Sequence, residues 1–210
     1  MGFDMIILSM NIRGVGGAQK LLALRRVCEN VRPDILMIQE TMVTAEKAID
    51  VFSKVVGSWN ISAVDAIGLS GGLLTAWNPK KANFVVFKTV AGILLQGRYL
   101  NGDRELKILN CYGPYQNRIP YWNLIRDSGL LKEEGLIIGG DLNFTVSANE
   151  TWGCTRMDPD ADFFYNLFRE EGLLDVEPSV LRPTWQNGRG GSAGIGKRLD
   201  RFLADEDMLE

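Results

Sequence analysis

Residues 60–111 read NISAVDAIGLSGGLLTAWNPKKANFVVFKTVAGILLQGRYLNGDRELKILNC, and this stretch decides the fold class. It breaks into apolar, β-branched runs at Asn60 to Val64, Gly72 to Trp77, Phe84 to Thr89, Ile93 to Tyr99 and Leu106 to Cys111, separated by Gly, Asn-Pro and Asn-Gly-Asp. Short runs bounded by turn residues predict strands. Asn101-Gly102 is the dipeptide a two-residue hairpin prefers, because both central residues of that turn need positive φ. That hairpin signal between two such runs makes this stretch antiparallel.

Outward from this block the pattern changes. Met5-Ile-Ile-Leu-Ser9 and Asp34-Ile-Leu-Met-Ile38 read as short buried strands. Between them the Gly14 to Gly17 turn leads into a predicted helix over Ala18 to Val31, with Leu21, Leu24, Val27 and Cys28 on one face, and Pro33 ends it. Thr44 to Val55 reads as a second helix with Thr44 as its cap. Beyond residue 111, helices are predicted at Ile119 to Asp127 and Pro159 to Glu171. Strands are predicted at Leu136 to Gly139, near Thr184 and at Arg198 to Leu203. Helices at the flanks and strands in the middle suit two packed sheets with helices outside. A dinucleotide-binding sheet is the competing reading of Gly14-x-Gly16, but Gln19 stands where a third glycine belongs and the hairpin-rich middle contradicts a parallel sheet.

The chain has 210 residues, 46% hydrophobic and 23% charged, enough for one sizeable core, and a single domain over 1–210 is expected. Cys28, Cys111 and Cys154 are three in number with no CxxC spacing, so neither a disulfide framework nor a zinc site is supported and an intracellular location fits. The apolar run Met5 to Leu8 is too short for a signal-peptide core or a membrane span. A net charge of −3 provides no global attraction for nucleic acid. Locally, Arg182, Arg189, Lys197, Arg198 and Arg201 face only Asp200 between Ser179 and Leu203, which is either a basic face or a set of solvated loops.

Polar residues close the predicted strands: Asn11, Glu40, Tyr112, and Gly140-Asp141-Leu142-Asn143. Strand ends present side chains with little positional uncertainty. A carboxylate such as Glu40 is a hard oxygen ligand, and Mg²⁺ commonly takes one or two carboxylates and completes its shell with water and substrate phosphate. Glu40 is equally readable as a helix-initiating glutamate. Asp141 and Asn143 alternate onto one side after a glycine pair, a spacing that lets both address one phosphate, or forms an Asp/Asn turn. Tyr112 and Trp185 also read as packed aromatics, and Asp200 as an ion-pair partner of Arg198 or Arg201. Ile119, Trp122 and Ile125 read as core.

In order along the chain, Asn11, Gln39-Glu40-Thr41, Tyr112-Gly113-Pro114, Gly140-Asp141-Leu142-Asn143 and Arg198-Leu199-Asp200 resemble the endonuclease/exonuclease/phosphatase superfamily. Asn11-Ile-Arg-Gly14, Ser70-Gly-Gly-Leu73, Asn110-Cys-Tyr-Gly-Pro-Tyr115, Trp152-Gly153 and Arg182-Pro-Thr-Trp185 are most similar to the apurinic-type endonuclease domain of plant non-LTR (LINE-type) retrotransposons. The resemblance implies a DNase I-like, four-layered α/β sandwich, with two mostly antiparallel sheets face to face and helices outside. It also implies a Mg²⁺-dependent (alternatively Mn²⁺-dependent) DNA endonuclease of the nicking type, monomeric and nuclear. Glu40 would bind the metal with Asn11 in support, Tyr112 and Asn143 would hold the scissile phosphate, Asp141 would orient the attacking water, and Asp200 would pair with a histidine. Arg182, Trp185, Lys197 and Arg198 would lie beside the DNA.

Two departures stand out. Arg13 occupies the place of an acidic residue in apurinic endonucleases, which favours the retrotransposon branch. The sequence contains no histidine, and a positioned general acid or base is worth about 10² to 10⁴ in rate. Activity is therefore expected to be impaired, and a catalytically dead or vestigial fragment is the competing reading, with a phosphatase of the same superfamily as a third. The family's last strand, carrying Ser-Asp-His, is expected beyond residue 210. Sequencing the gene past codon 210 is expected to recover Ser-Asp-His in some frame, followed by polymerase sequence; an intact stop codon with unrelated sequence beyond it would count against this.

Overall fold

The computed structural model describes residues 5–67, 70–100, 102–153 and 156–208. Its contacts divide the chain into two compact units, Met1–Tyr112 and Gly113–Glu210.

In the first unit β1 (Ile7–Asn11), α1 (Ala18–Val31), β2 (Ile35–Gln39) and α2 (Ala45–Val56) fall where the periodicity predicts them, followed by β3 (Asn60–Ile67), β4 (Ser70–Trp77), β5 (Ala82–Thr89), β6 (Gly92–Tyr99) and β7 (Glu105–Cys111). Thr44 caps α2, its side-chain oxygen accepting the Lys47 N–H at 3.3 Å. One sheet has the order β1-β2-β4-β3. Within it β1 and β2 run parallel, with Asn11 opposite Gln39, while β4 is antiparallel to both its neighbours. β5, β6 and β7 form antiparallel hairpins. Asn101 of the predicted turn lies outside the described residues, but Gly102 N–H bonds back to Tyr99 O at 2.9 Å.

β2 is buried along its whole length, which explains its unbroken apolar run. Leu36 and Ile38 pack with Ala63, Leu74 and Ala76 against Leu24 of α1 and Ala48 and Phe52 of α2. Facing the other way, β2 and β4 meet β6 and β7. On β6, Gly92 at φ 143° leaves no room for a Cβ, which would stand 2.0 Å from Asn110 O on the neighbouring β7 and 3.1 Å from Leu73 Cδ1 on β4. The side chain of Asn110, with no exposed surface, bridges the sheets. Its Nδ2 bonds to Ile38 O (3.3 Å), Leu74 O (2.9 Å) and Thr75 Oγ1 (3.1 Å), and its Oδ1 accepts Gln39 Nε2 at 2.7 Å. Gln39 Nε2 also reaches Ser9 Oγ on β1.

The second unit contains α3 (Arg118–Asp127), β8 (Leu136–Asp141), β9 (Thr151–Trp152), α4 (Ala161–Glu170), β10 (Leu173–Asp175), β11 (Trp185–Gln186), β12 (Gly196–Lys197) and β13 (Asp200–Asp205). β13 lies between β8 and β10, antiparallel to both, and β12 pairs with β9 and β11. β9, β10 and β12 have only two or three residues each, too few for any periodicity to register. Trp122 and Ile125 are fully buried, as read from the sequence, whereas Ile119 is 36% exposed. Trp122 packs edge-on to Phe144, Phe164 and Phe168, and Phe144 stacks on Phe164 at 4.0 Å between centroids. Among the described residues no helix is long and apolar enough to cross a membrane.

Asn110→Ala strips several buried acceptors and the Gln39 amide of their partner at once. It should lower the unfolding free energy by about 3 kcal/mol, read as a reduced urea midpoint at unchanged m-value.

Candidate active site

At the ends of β1, β2 and β7 in the first unit, three predicted residues meet on one atom. Glu40 Oε1 accepts Asn11 Nδ2 at 3.0 Å and the Tyr112 hydroxyl at 2.5 Å. All three side chains are half-buried. The parallel register that places Asn11 beside Gln39 brings its side chain to the next residue, Glu40. Glu40 itself has φ 53°, a left-handed conformation that costs a residue with a Cβ roughly 1–2 kcal/mol.

The turn around Glu40 is held from both flanks. Gly14 N–H and Val15 N–H bond to Glu40 O (2.6 Å) and Thr41 O (3.0 Å), and Gly71 O and Gly72 O accept Met42 N–H and Thr41 N–H, both at 3.1 Å. Gly72 is a requirement of the turn: a Cβ there would lie 2.3 Å from Thr41 Oγ1. Among the described residues the buried Thr41 Oγ1 has no hydrogen-bond partner.

The donor set answers whether these residues suit a metal. Among the described residues no three His, Cys, Asp or Glu side chains cluster to form a protein cage. One oriented, half-open carboxylate with neutral amide and phenol neighbours fits a hydrated hard cation that keeps most of its own water. It does not fit zinc.

In the second unit Asp141 ends β8, almost fully buried, and β13 places Asp200 directly across from it. Asn143 has φ 56°, and its N–H donates to Asp141 Oδ1 at 3.2 Å. Its Nδ2 donates to Gly113 O at 2.6 Å, leaving the second N–H of that amide for another acceptor. Gly113 allows this approach, since a Cβ on it would sit 2.1 Å from Leu142 O. Thr184 Oγ1 accepts the N–H groups of Leu199 and Asp200, each at 3.0 Å, fixing the start of β13.

Beneath this loop lie residues the sequence did not single out. Arg118 donates to Asn143 O (3.0 Å), to both carboxylate oxygens of Asp158 (2.7 and 2.6 Å) and to Asp160. The hydrogen bonds it donates to Asp158 raise the Arg118 pKa above its ordinary value against the effect of burial. Glu150 is 4% exposed and accepts Arg198 Nη1 at 2.6 Å and Arg201 Nη2 at 3.0 Å, while Asp175 takes both Nη atoms of Arg198 and Nη1 of Arg201. These partners are too far apart in the chain for local periodicity to reveal them.

The same network corrects one expectation. Arg198 is 5% exposed, with both terminal nitrogens committed to Glu150 and Asp175, so it is a structural arginine rather than a DNA-facing one. Arg198 and Arg201 therefore do not contribute to a basic surface. Of the other residues expected beside DNA, Arg182 is exposed, and Trp185 and Lys197 are half-buried opposite one another on β11 and β12.

The chain belongs to the endonuclease/exonuclease/phosphatase family, whose model matches residues 8–209. By family it is an enzyme of the endonuclease and phosphodiesterase kind, a class generally dependent on a divalent metal. No curated protein sequence matches the chain. Among solved structures it is similar to the endonuclease domain of TRAS1, a telomere-specific non-LTR retrotransposon, at 19% identity and a TM-score of 0.69 over 98% of this chain and 87% of that one. An AP endonuclease from Leishmania major is similar at 17% identity and TM-score 0.74, covering 96% of this chain and 79% of that one. The APE2 catalytic domain of Xenopus laevis is similar at 20% and 0.73, covering 98% and 83%. At these identities the likeness carries the fold alone: α/β, DNase I-like, with β-sheets flanked by helices.

Burial pushes the Glu150 carboxyl up, but the charge and hydrogen bonds of Arg201, with the Val146 N–H and Arg198, outweigh it and hold the pKa below the ordinary glutamate value. Asp158 is likewise held low, by Arg118 and two backbone N–H groups against burial. A depressed folded pKa gives stability that is complete above the unfolded value, about 4 for both groups, and is lost as pH falls through the folded value. The urea midpoint should thus be flat near neutrality and fall below about pH 4. Glu150→Gln should cost about 3 kcal/mol at pH 7 and shallow that acid limb.

Proposed function

We propose that this chain is a DNA endonuclease of the nicking type, dependent on Mg²⁺ or Mn²⁺, in which residues 1–210 act as one domain. The observation that carries the reading is the shared carboxylate oxygen of Glu40, gripped by Asn11 and Tyr112 at three strand ends in a chain of this family. Within the family, the ordered motifs support kinship with the endonuclease domains of plant non-LTR retrotransposons. A DNA substrate, a monomeric state and nuclear residence belong to the same proposal.

Glu40 holds the divalent ion, and Asn11 orients the carboxylate while its own Oδ1 is fixed by Arg13 N–H. When bound, the ion supplies Lewis-acid neutralisation of charge on the phosphoryl oxygens. Asp141, buried and accepting the Asn143 N–H, orients the attacking water and receives its proton. Asn143 uses the spare N–H of its amide on a phosphate oxygen, and Tyr112, whose single O–H bonds Glu40 in this structure, turns it to the phosphate when substrate binds. Arg182, Trp185 and Lys197 line the path of the DNA, Trp185 by stacking or groove contact and the cations by phosphate contact. Residues 1–210 contain no histidine, so in these residues by themselves proton transfer to the leaving oxygen falls to water, slower by about 10² to 10⁴ than at a histidine-assisted site.

The lack of histidine also favours a second reading, a chain that binds DNA without turnover. Relaxation of supercoiled plasmid decides between them. Slow nicking in Mg²⁺, abolished by EDTA and lowered about 10²-fold or more by Glu40→Gln or Asp141→Asn, is the expected result. DNA binding with no nicking in Mg²⁺ or Mn²⁺ supports the second reading. Release of phosphate from a small phosphorylated substrate, with intact plasmid, overturns both in favour of a phosphatase.

A further inference from the structure

Lys20 lies in the first turn of α1, where the partial positive charge of a helix N-terminus disfavours a cation. The helix does not explain its position; the preceding loop does. Lys20 Nζ lies 2.8 Å from Ile12 O, 3.1 Å from Arg13 O and 3.0 Å from Gly14 O. An ammonium has three N–H donors and no acceptor, so these carbonyls use its whole capacity. Successive carbonyls of an extended strand point to opposite sides. Here the positive φ of Arg13 (46°) and Gly14 (93°) turns three of them toward one point. With their negative ends converged, these dipoles need a cation between them.

The N–H groups of the same segment point the other way. Ile12 N–H bonds to Gln39 O at 3.1 Å, Gly14 and Val15 N–H to Glu40 O and Thr41 O, and Arg13 N–H to Asn11 Oδ1 at 3.1 Å. Residues 12–15 are therefore a strip held on one flank by the Glu40 turn and on the other by a single ammonium. Asn11, whose Nδ2 touches Glu40, is the residue on which that strip begins.

We propose that Lys20 is the positioning residue for Asn11 and Glu40, acting as a built-in cation that closes a three-carbonyl ring behind them. The ring is a site for a primary ammonium, filled by the chain's own side chain. The consequence for metal binding rests on the reading of Glu40 as metal carrier; the ring itself does not. Lys20 is exposed, so removing its side chain opens the ring to solvent and to small cations.

The test is Lys20→Ala in the full chain, with propylammonium as the probe and tetramethylammonium as a control of equal charge that carries no N–H. Amide hydrogen exchange at Ile12, Gly14 and Val15 should accelerate roughly tenfold or more in the variant. Mn²⁺ affinity should fall roughly tenfold. Propylammonium should restore both, and tetramethylammonium neither. Lys20→Arg keeps the charge, but its planar fork cannot aim three N–H groups from one nitrogen, so it should fall between wild type and Lys20→Ala in both measurements, and it serves if the alanine variant does not fold. Unchanged exchange in either Lys20→Ala or a Lys20→Gln variant, or equal rescue by tetramethylammonium, overturns the ring. Exchange that accelerates while Mn²⁺ affinity holds overturns the positioning role. A wild-type chain that binds no Mn²⁺ overturns the reading of Glu40, and exchange with propylammonium rescue then decides the ring by itself.

Discussion

Where two sheets press together, an unpaired polar group costs about as much as a lost core side chain, so a polar residue survives there only with all its partners in place. Asn110 meets that condition by using its amide on β2 and β4 and its carbonyl on Gln39. The rest of the first unit is arranged around this bond. It fixes the register of β7 against β2, and the residues just beyond each end of that contact are Tyr112 and Glu40. A core hydrogen bond and a candidate site are thus adjacent steps of the same two strands, and the precision of the second depends on the rigidity of the first.

Both candidate groups store local strain where the chain leaves a strand. Glu40 and Asn143 have positive φ although neither is glycine. Asparagine tolerates this region through its short polar side chain; glutamate does so only because flanking amides and carbonyls over-determine its turn. The glycines nearby act by their missing Cβ. Gly72 leaves room for Thr41, and Gly113 lets β8's exit loop close on its own carbonyl. Replacing either would push on the very turn that aims a carboxylate or an amide.

The second unit carries two clusters of charge in its interior. Arg118 with Asp158, and Arg198 and Arg201 with Glu150 and Asp175, are buried pairs whose partners cannot be removed singly without stranding a charge. They fasten the Asn143 loop and β13, which supplies Asp200. Arg201 also lies over the Phe144 ring at 4.7 Å, tying this network to the aromatic core of α3 and α4. Counting basic residues along 179–203 overstates the positive surface, because Arg198 and Arg201 are buried and paired with acids.

From the sequence alone came the long elements and the strand-end residues. Periodicity reports burial of a local face, and the polar residues that interrupt it stand out against it. α1 matched its predicted span, and the antiparallel middle followed from turn residues and short spacers. Short strands such as β9 and β12 were not readable, since two residues carry no period. Only the tertiary structure decided which partners each polar group takes: that Tyr112 and Asn11 share one oxygen of Glu40, that Arg198 is interior, and that Lys20 closes a ring of carbonyls. Those choices depend on positions from 6 to 72 residues apart brought together by sheet register and packing, and no local pattern of residue types encodes such a distance.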